Sequence, residues 1–504
     1  MSADKSYARI LRASSIMGAS AGINMLLGMV RVKFAAILIG TTGVGLNASF
    51  VALQGVINTL AGLGIQSSAV REIAAALGKG EEQAIGRTVH TLRRICWFSG
   101  LLGMTGIMLL SPLLSQLTFG HREYSLDIAA LGAAILFANL SGGQVALLQG
   151  ARRIGDLARI NVIGAALGTV AAIIWYALLG LRGIVPALVT VTAIQLALSW
   201  YFGRQVSVPR VTLTWQQTFA EARGMVNLGL VMMTNDLMGA AVTYFTITLI
   251  TREVGIQAVG VYSAAFALSG MFINFVISAM STDYYPRLTS VAPDKVAMRR
   301  MVNEQAEIGL LLALPGLLAT IAFAPWILKI FYTNEFLDAV ELLQWAILGC
   351  LGRVISWPLR FVLLSLGKGG CFLLTQTCFN FVHAGLIVLG LSLFGIEGVA
   401  IGFFIANIAY IALVNSICRH LINFNWSAGL LKISLISFLA IGSMFIVCRA
   451  MPNWLSTPTG SILVIVISMF SLRELILRLG PDSRIGRAII RIPVLKHVLH
   501  SQNP

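Results

Sequence analysis

The sequence predicts an all-α polytopic membrane protein with about fourteen transmembrane helices. Hydrophobic residues make up 57% of the 504 residues and charged residues 11%, against about 25% charged in an ordinary soluble domain. Apolar runs of about 20 residues, the length that crosses a bilayer core, recur along the whole chain. Only short polar joints separate them, so no soluble domain fits between the runs.

The apolar runs form two sets of equal size. The first set lies at about 14–39, 44–68, 92–118, 126–148, 158–180, 183–203 and 225–250. The second set lies at about 257–281, 307–331, 339–366, 370–393, 396–418, 429–449 and 459–477. We divide the chain into an N-lobe of six helices at 1–210, a C-lobe of six helices at 211–424, two additional helices at 425–478 and a basic amphipathic tail at 479–504.

The basic residues of the joints alternate between the two sides of the predicted membrane. With the amino terminus in the cytoplasm, most joint Lys and Arg fall on the cytoplasmic side, as the positive-inside rule requires. The outside joints hold only Arg122, Arg182, Arg252, Lys329 and Arg449. This bias predicts an even number of helices, with both termini in the cytoplasm.

Composition and motifs argue against several other classes. The net charge of +16 is spread through short loops, so it does not form the single basic face that nucleic-acid binding needs. The six cysteines form no CxxC pair and have no histidine at metal-ligand spacing, so we expect reduced thiols, no metal site and no cofactor. A phosphate loop, a nucleophile elbow and paired carboxylates in an outside loop are all missing, which argues against an enzyme.

A short internal repeat follows the first helix of each predicted lobe. VGLNASFVALQG at 44–55 resembles VGVYSAAFALSG at 259–270, and the alignment pairs Gly45 with Gly260. Weak internal symmetry of this kind is typical of transporters built from two bundles around a central site.

Four basic residues remain inside the predicted spans: Arg31, Lys33, Arg353 and Arg360. A charge at the bilayer centre costs at least about 2.5 to 3.5 kcal/mol, so it usually faces a bundle interior or an aqueous cavity. Arg353 lies roughly 21 Å from the start of its helix, too deep to reach the interface. Arg360 shares its face. The alternatives are an internal ion pair for Arg353 and an interfacial anchor for Arg360.

Three more embedded residues, Asn24, Asp236 and His383, are candidates for a site. In the first helix Asn24 and Arg31 share one face, whereas Lys33 points elsewhere and could simply reach the outer surface. Asp236 and His383 lie near the middle of their helices, where proton or sodium coupling would need titratable groups. The alternatives are that Asp236 neutralises Arg31 and that His383 is a packing residue.

Three sequence blocks resemble a known superfamily. They are KFAAILIGTTGVGLNASFVALQGVINTLAGLGIQSSAVREIA at 33–74, FVISAMSTDYYPRLT at 275–289 and NEFLDAVELLQWAILGCLGRV at 334–354. They resemble the signatures of the O-antigen and lipid-linked oligosaccharide flippases of the multidrug/oligosaccharidyl-lipid/polysaccharide exporter superfamily. The two helices after Asn425 depart from the usual twelve-helix core of that family, although a related family of peptidoglycan-precursor flippases has fourteen.

This resemblance implies two six-helix lobes in a V shape that move an undecaprenyl-diphosphate-linked oligosaccharide to the periplasmic leaflet of a bacterial inner membrane. Arg31 and Arg353 would hold the diphosphate, Arg360 would recruit it, and Asn24 and Lys33 complete the predicted substrate set. Asp236 and His383 remain coupling candidates for H⁺ or Na⁺. The expected partners are the lipid-linked oligosaccharide, membrane lipids and the glycan polymerase machinery, and no nucleic acid.

Two alternatives remain. A cation-coupled multidrug exporter of the same superfamily would favour acidic residues over arginine in its cavity, because its substrates are commonly cationic. A polytopic enzyme of glycan assembly would need larger loops outside the bilayer than this chain has.

The predicted topology can be tested at the carboxyl terminus. The segment RLGPDSRIGRAIIRIPVLKHVLH at 478–500 mixes basic with aliphatic residues, so it is expected to lie on the cytoplasmic leaflet, or to be a solvated tail that enforces orientation. A reporter fused after Pro504 should therefore be active in the cytoplasm. Activity in the periplasm would contradict the even helix number.

Overall fold

The protein is all-helical in a computed structural model that describes residues 3–209 and 211–479. Side chains are described from residue 17 onward, apart from a few positions in the seventh, eighth and last helices. The basic residues of the predicted tail, from Arg484 to Lys496, lie outside the described residues.

Fifteen α-helices follow one another along the described chain. They are α1 (Ala3–Gly62), α2 (Ile65–Lys79), α3 (Glu82–Phe119), α4 (Ser125–Gly150), α5 (Ile154–Leu179), α6 (Ile184–Gly203), α7 (Trp215–Glu253), α8 (Ile256–Ser290), α9 (Lys295–Ala322), α10 (Ala324–Phe331), α11 (Ala339–Ser365), α12 (Gly369–Phe394), α13 (Ile396–Ile422), α14 (Ala428–Ala450) and α15 (Asn453–Leu479). Short 3₁₀ turns lie at Gly180–Gly183 and Asn334–Phe336.

Eleven helical segments of the described chain, or twelve with the bent α7, are long and apolar enough to cross a membrane. Two of them, Met17–Gly62 with 46 residues and Ile154–Gly203 with 50, are about twice the length of one crossing. When each of these two segments is divided at its backbone break and the bent α7 is counted as one crossing, the described chain has the fourteen crossings that the sequence predicts. The all-α polytopic fold is therefore confirmed, and the number fourteen depends on that division.

Glycine makes these breaks possible. Gly40 has φ 62° and ψ −167°, a conformation that interrupts α1 between its two crossings, and Gly180 has φ 56° between α5 and α6. Side chains with a Cβ rarely adopt positive φ, whereas glycine does so freely. The break at Gly40 falls between the predicted runs 14–39 and 44–68.

By packing, the described chain forms two compact units. The first unit runs to Ser263 and includes Phe331–Glu335, and the second runs from Ala264 to Ile330 and from Phe336 onward. The segment at 331–335 joins the first unit through Lys33, whose Nζ donates a hydrogen bond to the carbonyl oxygen of Tyr332. The predicted lobe boundaries at 210 and 424 stay a prediction.

Each unit has its own aromatic and aliphatic core. In the first, Phe50 packs edge-on against Phe119 and Tyr124, with ring centroids 5.8 Å and 6.0 Å away. In the second, Tyr284 packs against Trp357 at 5.4 Å and donates a 2.9 Å hydrogen bond to the carbonyl oxygen of Pro358.

Ion pairs hold the last two helices at both ends. At one end Arg478 of α15 bonds Glu307 of α9 at 2.8 Å and also pairs with Glu474. At the other end Arg449 of α14 lies 3.1 Å from Glu341 and 2.9 Å from Glu397, at the starts of α11 and α13. The pair α14 and α15 is therefore fastened to the second unit by charge as well as by packing.

The two glycines that the repeat aligns pack against each other in the first unit. A Cβ on Gly45 would lie 2.1 Å from the carbonyl oxygen of Ile256, and one on Gly260 would lie 2.1 Å from that of Thr41. The backbones of α1 and α8 can approach this closely only because both positions lack a side chain.

We therefore expect Gly45→Ala to weaken this crossing. An added methyl group must push the helices apart, and overpacking of this kind costs about 1 to 3 kcal/mol. The purified variant should melt at a lower temperature. Gly55→Ala, in the same helix with nothing within 4 Å of the new Cβ, is the matched control. Equal melting of both variants would show that the crossing tolerates a side chain.

Candidate functional site

A cavity of about 210 Å³ lies among α11, α12 and α13 in the second unit. Its lining residues are mostly polar or aromatic. They are Arg353, Ser356, Trp357, Arg360, Gln376, Phe379, His383, Phe403, Asn407 and Tyr410. Three of the residues predicted from sequence, Arg353, Arg360 and His383, therefore line one cavity.

Helix α11 supplies both arginines from one face. Arg353 and Arg360 are seven residues apart, which is close to two full helical turns. Glycines on α11 let α13 approach: a Cβ on Gly349 would lie 2.4 Å from the Phe403 ring, and one on Gly352 would lie 3.2 Å from the Cβ of Asn407. This approach places Asn407 and Tyr410 beside the arginines.

The cavity carries positive charge without a carboxylate. Among the described residues, neither Arg353 nor Arg360 forms an ion pair or a side-chain hydrogen bond, and none of the cavity's lining residues is acidic. The Arg360 guanidinium lies 5.4 Å from the centroid of the Phe361 ring. The alternative of an internal ion pair for Arg353 is therefore not seen in the described chain.

Neutral polar groups complete the lining. The Tyr410 hydroxyl donates a 2.5 Å hydrogen bond to Oε1 of Gln376, so the amide NH₂ of Gln376 is available as a donor. Asn407 Nδ2 donates a 2.8 Å hydrogen bond to the carbonyl oxygen of Phe403. The Oδ1 atom of Asn407 is not used in that bond. His383 stacks on Phe379 with ring centroids 5.7 Å apart.

The cavity can therefore bind an anion with hydroxyl groups. Guanidinium groups bind phosphate oxygens in a bidentate manner with charge-assisted hydrogen bonds. The amides and the Tyr410 hydroxyl offer donors and acceptors to a polar substrate, and the rings of Phe379 and Phe403 provide flat surfaces. No group of three metal-ligating side chains occurs in the described part of the chain.

The other predicted substrate residues lie on α1 in the first unit. Arg31 is half-buried and near Tyr176 of α5, with no ion pair among the described residues. The Asn24 Oδ1 atom is buried without a hydrogen-bond partner. The Lys33 Nζ atom donates a hydrogen bond to the carbonyl oxygen of Tyr332. Substrate roles for these residues stay predictions.

Asp236 lines a separate polar cavity of about 310 Å³ in the first unit. Most of its neighbours there carry amides or hydroxyls: Asn58, Thr59, Gln66, Ser67 and Asn139. The Oδ1 atom of Asn58 is buried without a partner, and Asn235 donates to Asp236 at 3.3 Å. Asp236 and Arg31 form no ion pair in the described chain. The cavity offers one carboxylate and several neutral oxygens, a set that suits a hard cation or a proton.

Sequence reasoning did not select Ser356, Gln376, Asn407 or Tyr410 as site residues. Gln376 and His383 are seven residues apart on α12, so the spacing in the sequence predicts that they lie on the same face of that helix. The partnership of Tyr410 with Gln376 joins different helices and leaves no pattern in the sequence.

The missing ion pair between Arg31 and Asp236 can be tested. Asp236→Asn and Arg31→Gln should each change the melting temperature slightly, and the double variant should show the sum of the two shifts, because uncoupled sites are additive within about 0.5 kcal/mol. Recovery of stability in the double variant would instead reveal an ion pair.

The fold and its charged cavity define a class: a polytopic membrane protein with the fold of multidrug and flippase transporters. The fold resembles the lipid II flippase MurJ in an inward closed conformation, with a TM-score of 0.68, 14% identity, 92% of this chain covered and 100% of that chain. It also resembles an inward-facing MATE multidrug transporter of the MOP superfamily, with a TM-score of 0.63, 14% identity, and 79% and 94% covered.

The chain belongs to the family described as polysaccharide biosynthesis proteins, whose model matches residues 36–341. Over 372 residues it is 23% identical to the lipid III flippase of Escherichia coli (strain K12), which covers 71% of this chain and 85% of that protein. The lipid III flippase of Shigella flexneri matches to the same extent. The superfamily indicated by the three sequence blocks is therefore confirmed.

Proposed function

We propose that this protein is a flippase that moves an undecaprenyl-diphosphate-linked oligosaccharide, an O-antigen-type repeat unit, from the cytoplasmic to the periplasmic leaflet by alternating access. One observation carries the proposal. Arg353 and Arg360 line a single cavity at membrane depth, and no described carboxylate compensates their charge.

The chemistry of the cavity supports a lipid-linked phosphate as substrate. A diphosphate crossing hydrocarbon needs counter-charge, because an isolated ion in a low-dielectric medium is strongly destabilised. Arg353 and Arg360 provide this charge, and Gln376, Asn407 and Tyr410 provide partners for sugar hydroxyls. The lipid tail needs no such site, since it can remain in the bilayer.

The sign of the charge argues against the exporter alternative. A cationic drug would be repelled by two uncompensated guanidinium groups, and the lining contains no acid to attract it. The likeness to a multidrug transporter concerns the fold, because the sequence of that transporter is only 14% identical to this chain. The glycan-assembly enzyme is disfavoured because the relatives named above are flippases and transporters.

The known relatives support the direction and mode of transport that we propose. The Escherichia coli relative is a lipid III flippase, and lipid-linked precursors are made where cytoplasmic sugar donors are available. The fold occurs in an inward-facing and an outward-facing MATE transporter, which is what alternating access requires. The inner-membrane location, the cytoplasmic termini and association with glycan polymerase machinery belong to the same proposal.

Within this proposal Arg353 and Arg360 hold the diphosphate, and Arg31, Asn24 and Lys33 are further substrate contacts. We choose Asp236 over His383 as the coupling candidate, because a carboxylate among neutral oxygens can bind either H⁺ or Na⁺. His383 packs against two aromatic rings, Phe379 and Phe403, in the same cavity as the two arginines.

The proposal predicts that Arg353→Ala abolishes flipping while the protein still inserts and folds. Arg353→Lys should restore only part of the activity, because an ammonium cannot form the bidentate contact of a guanidinium. The measurement is the fraction of a labelled undecaprenyl-diphosphate oligosaccharide that reaches the opposite leaflet of proteoliposomes containing purified protein.

Arg300→Ala is the matched control, since the Arg300 side chain is 82% exposed and lies outside the cavity. It removes one positive charge from the same unit and should leave flipping unchanged. Normal flipping by the Arg353→Ala variant would contradict the proposal. So would equal impairment of the Arg300 and Arg353 variants, which would indicate a general dependence on net charge.

A further inference from the structure

A second basic cavity, separate from the proposed transport site, lies in the first unit, at the end that the positive-inside rule predicts to be cytoplasmic. It has a volume of about 340 Å³ and lies among α3, α4 and α6. Its lining combines arginines, tryptophans and small or neutral residues: Arg93, Cys96, Trp97, Leu140, Gly143, Gln144, Trp200 and Arg204. We call it the Arg93–Arg204 cavity.

The cavity is held at the level of the membrane interface. Helix α6 ends at Gly203, so Arg204 directly follows a membrane crossing. Helix α3 has 38 residues, more than one crossing needs, so Arg93 in its first half lies near the cytoplasmic surface. The positive-inside bias of the neighbouring joints places this end in the cytoplasm.

The two arginines of this cavity lack the partners that other arginines nearby have. The Arg204 guanidinium stacks on Trp200, 3.5 Å from the ring centroid, and makes no hydrogen bond or ion pair with described residues. Arg93 makes one long contact, 3.4 Å from its Nη2 to Gln144 Oε1, and its buried Nε has no partner.

The adjacent Arg94 shows the contrast. Its Nη1 donates to the Leu213 carbonyl oxygen at 2.8 Å and to Thr218 at 3.0 Å, and its guanidinium lies over Trp215 at 4.9 Å. Arg94 is therefore used to hold the segment before α7. Arg93, one residue earlier, makes only the long contact with Gln144, and its Nε donor has no partner.

The surroundings of the cavity are open to lipid. Trp97 is 52% exposed and Trp200 49% exposed, and tryptophan is the residue most typical of membrane interfaces. Farther along α3, Leu101 and Leu102 are also exposed apolar side chains, so the same face continues into the hydrocarbon region. A molecule seated here would place a polar head at the arginines and acyl chains along α3.

Small residues create the space. A Cβ on Gly143 would lie 3.0 Å from Cys96 Sγ, and one on Gly203 would lie 2.7 Å from Gln144 Oε1. Helices α3, α4 and α6 therefore approach closely next to the cavity, and two guanidinium groups are part of its lining. A flat basic surface would bind anions diffusely, whereas this cavity can enclose a phosphate.

We propose that the Arg93–Arg204 cavity binds the headgroup of an anionic phospholipid of the cytoplasmic leaflet. Basic pockets between transmembrane helices on this side are suited to anionic lipid headgroups. Arg93 and Arg204 bind the phosphodiester oxygens, and Trp97 and Trp200 lie against the glycerol region and the start of the acyl chains.

The test is native mass spectrometry of the full chain in detergent, titrated with phosphatidylglycerol. Wild-type protein should retain a defined phosphatidylglycerol adduct, and the double variant Arg93→Gln with Arg204→Gln should bind it at least about tenfold more weakly, since hydrogen bonds to charged groups are the stronger kind. Arg204→Gln alone, at an exposed position, should show a partial loss without any risk to folding.

Two comparisons decide the source of the phosphate. Phosphatidylcholine with the same acyl chains should bind much more weakly, and millimolar inorganic phosphate should not displace the lipid. Displacement by inorganic phosphate, or equal binding of both lipids, would overturn the assignment to an anionic lipid.

Arg159→Gln serves as the matched control for charge. Its side chain is 65% exposed at the same end of the first unit and pairs with Asp156 at 3.1 Å, so the variant removes one positive charge without touching the cavity. It should bind phosphatidylglycerol like the wild type. Unchanged binding by the double variant at positions 93 and 204, with a normal melting temperature, would refute the proposal.

Discussion

A positive charge on a packed transmembrane helix has to be compensated, at membrane depth above all, and the way each arginine meets this requirement organises the described structure. Arg449 and Arg478 are compensated by glutamates, and these pairs fasten α14 and α15 to the second unit. Arg353 and Arg360 have no such partner. They are tolerable only because they line a cavity, where water or a bound anion can replace the missing carboxylate.

This requirement explains why the second unit contains a cavity where a core would otherwise be. Close packing along α11 and α13 at Gly349 and Gly352 contrasts with the space left beside Arg353. A volume of about 210 Å³ leaves room for water beside the two guanidinium groups. An anionic substrate that displaces this water must supply its hydrogen bonds, and phosphate oxygens can do so at both guanidinium groups.

The sequence predicted those features that depend on spacing along one helix or on the backbone needs of glycine. The shared face of Arg353 and Arg360 follows from their separation, and the break in α1 falls at Gly40, in a run of small residues. The repeat aligned Gly45 with Gly260 as a sign of internal symmetry, and the structure adds that these two glycines pack against each other.

Other features could not be read from the sequence because they join distant elements through groups that carry no pattern. The acceptor for Lys33 is the backbone carbonyl of Tyr332, and every residue has such a carbonyl. The bond between Tyr410 and Gln376 depends on how α12 and α13 pack. Opposite charges suggested a pairing of Arg31 with Asp236, but the structure places Arg31 near Tyr176, since geometry decides between potential partners.

The separation of charge between cavities has a physical consequence for transport. The cavity of Asp236 contains no basic residue in its lining, and the cavity of Arg353 contains no acid. An acid and a guanidinium in one site would form an ion pair, and each would lose affinity for outside ions. Under the function proposed above, each cavity keeps a single sign, so a cation at Asp236 and an anion at Arg353 would not compete directly. Coupling between such sites then has to pass through the conformational equilibrium of the protein, where each ligand favours the state that binds it better.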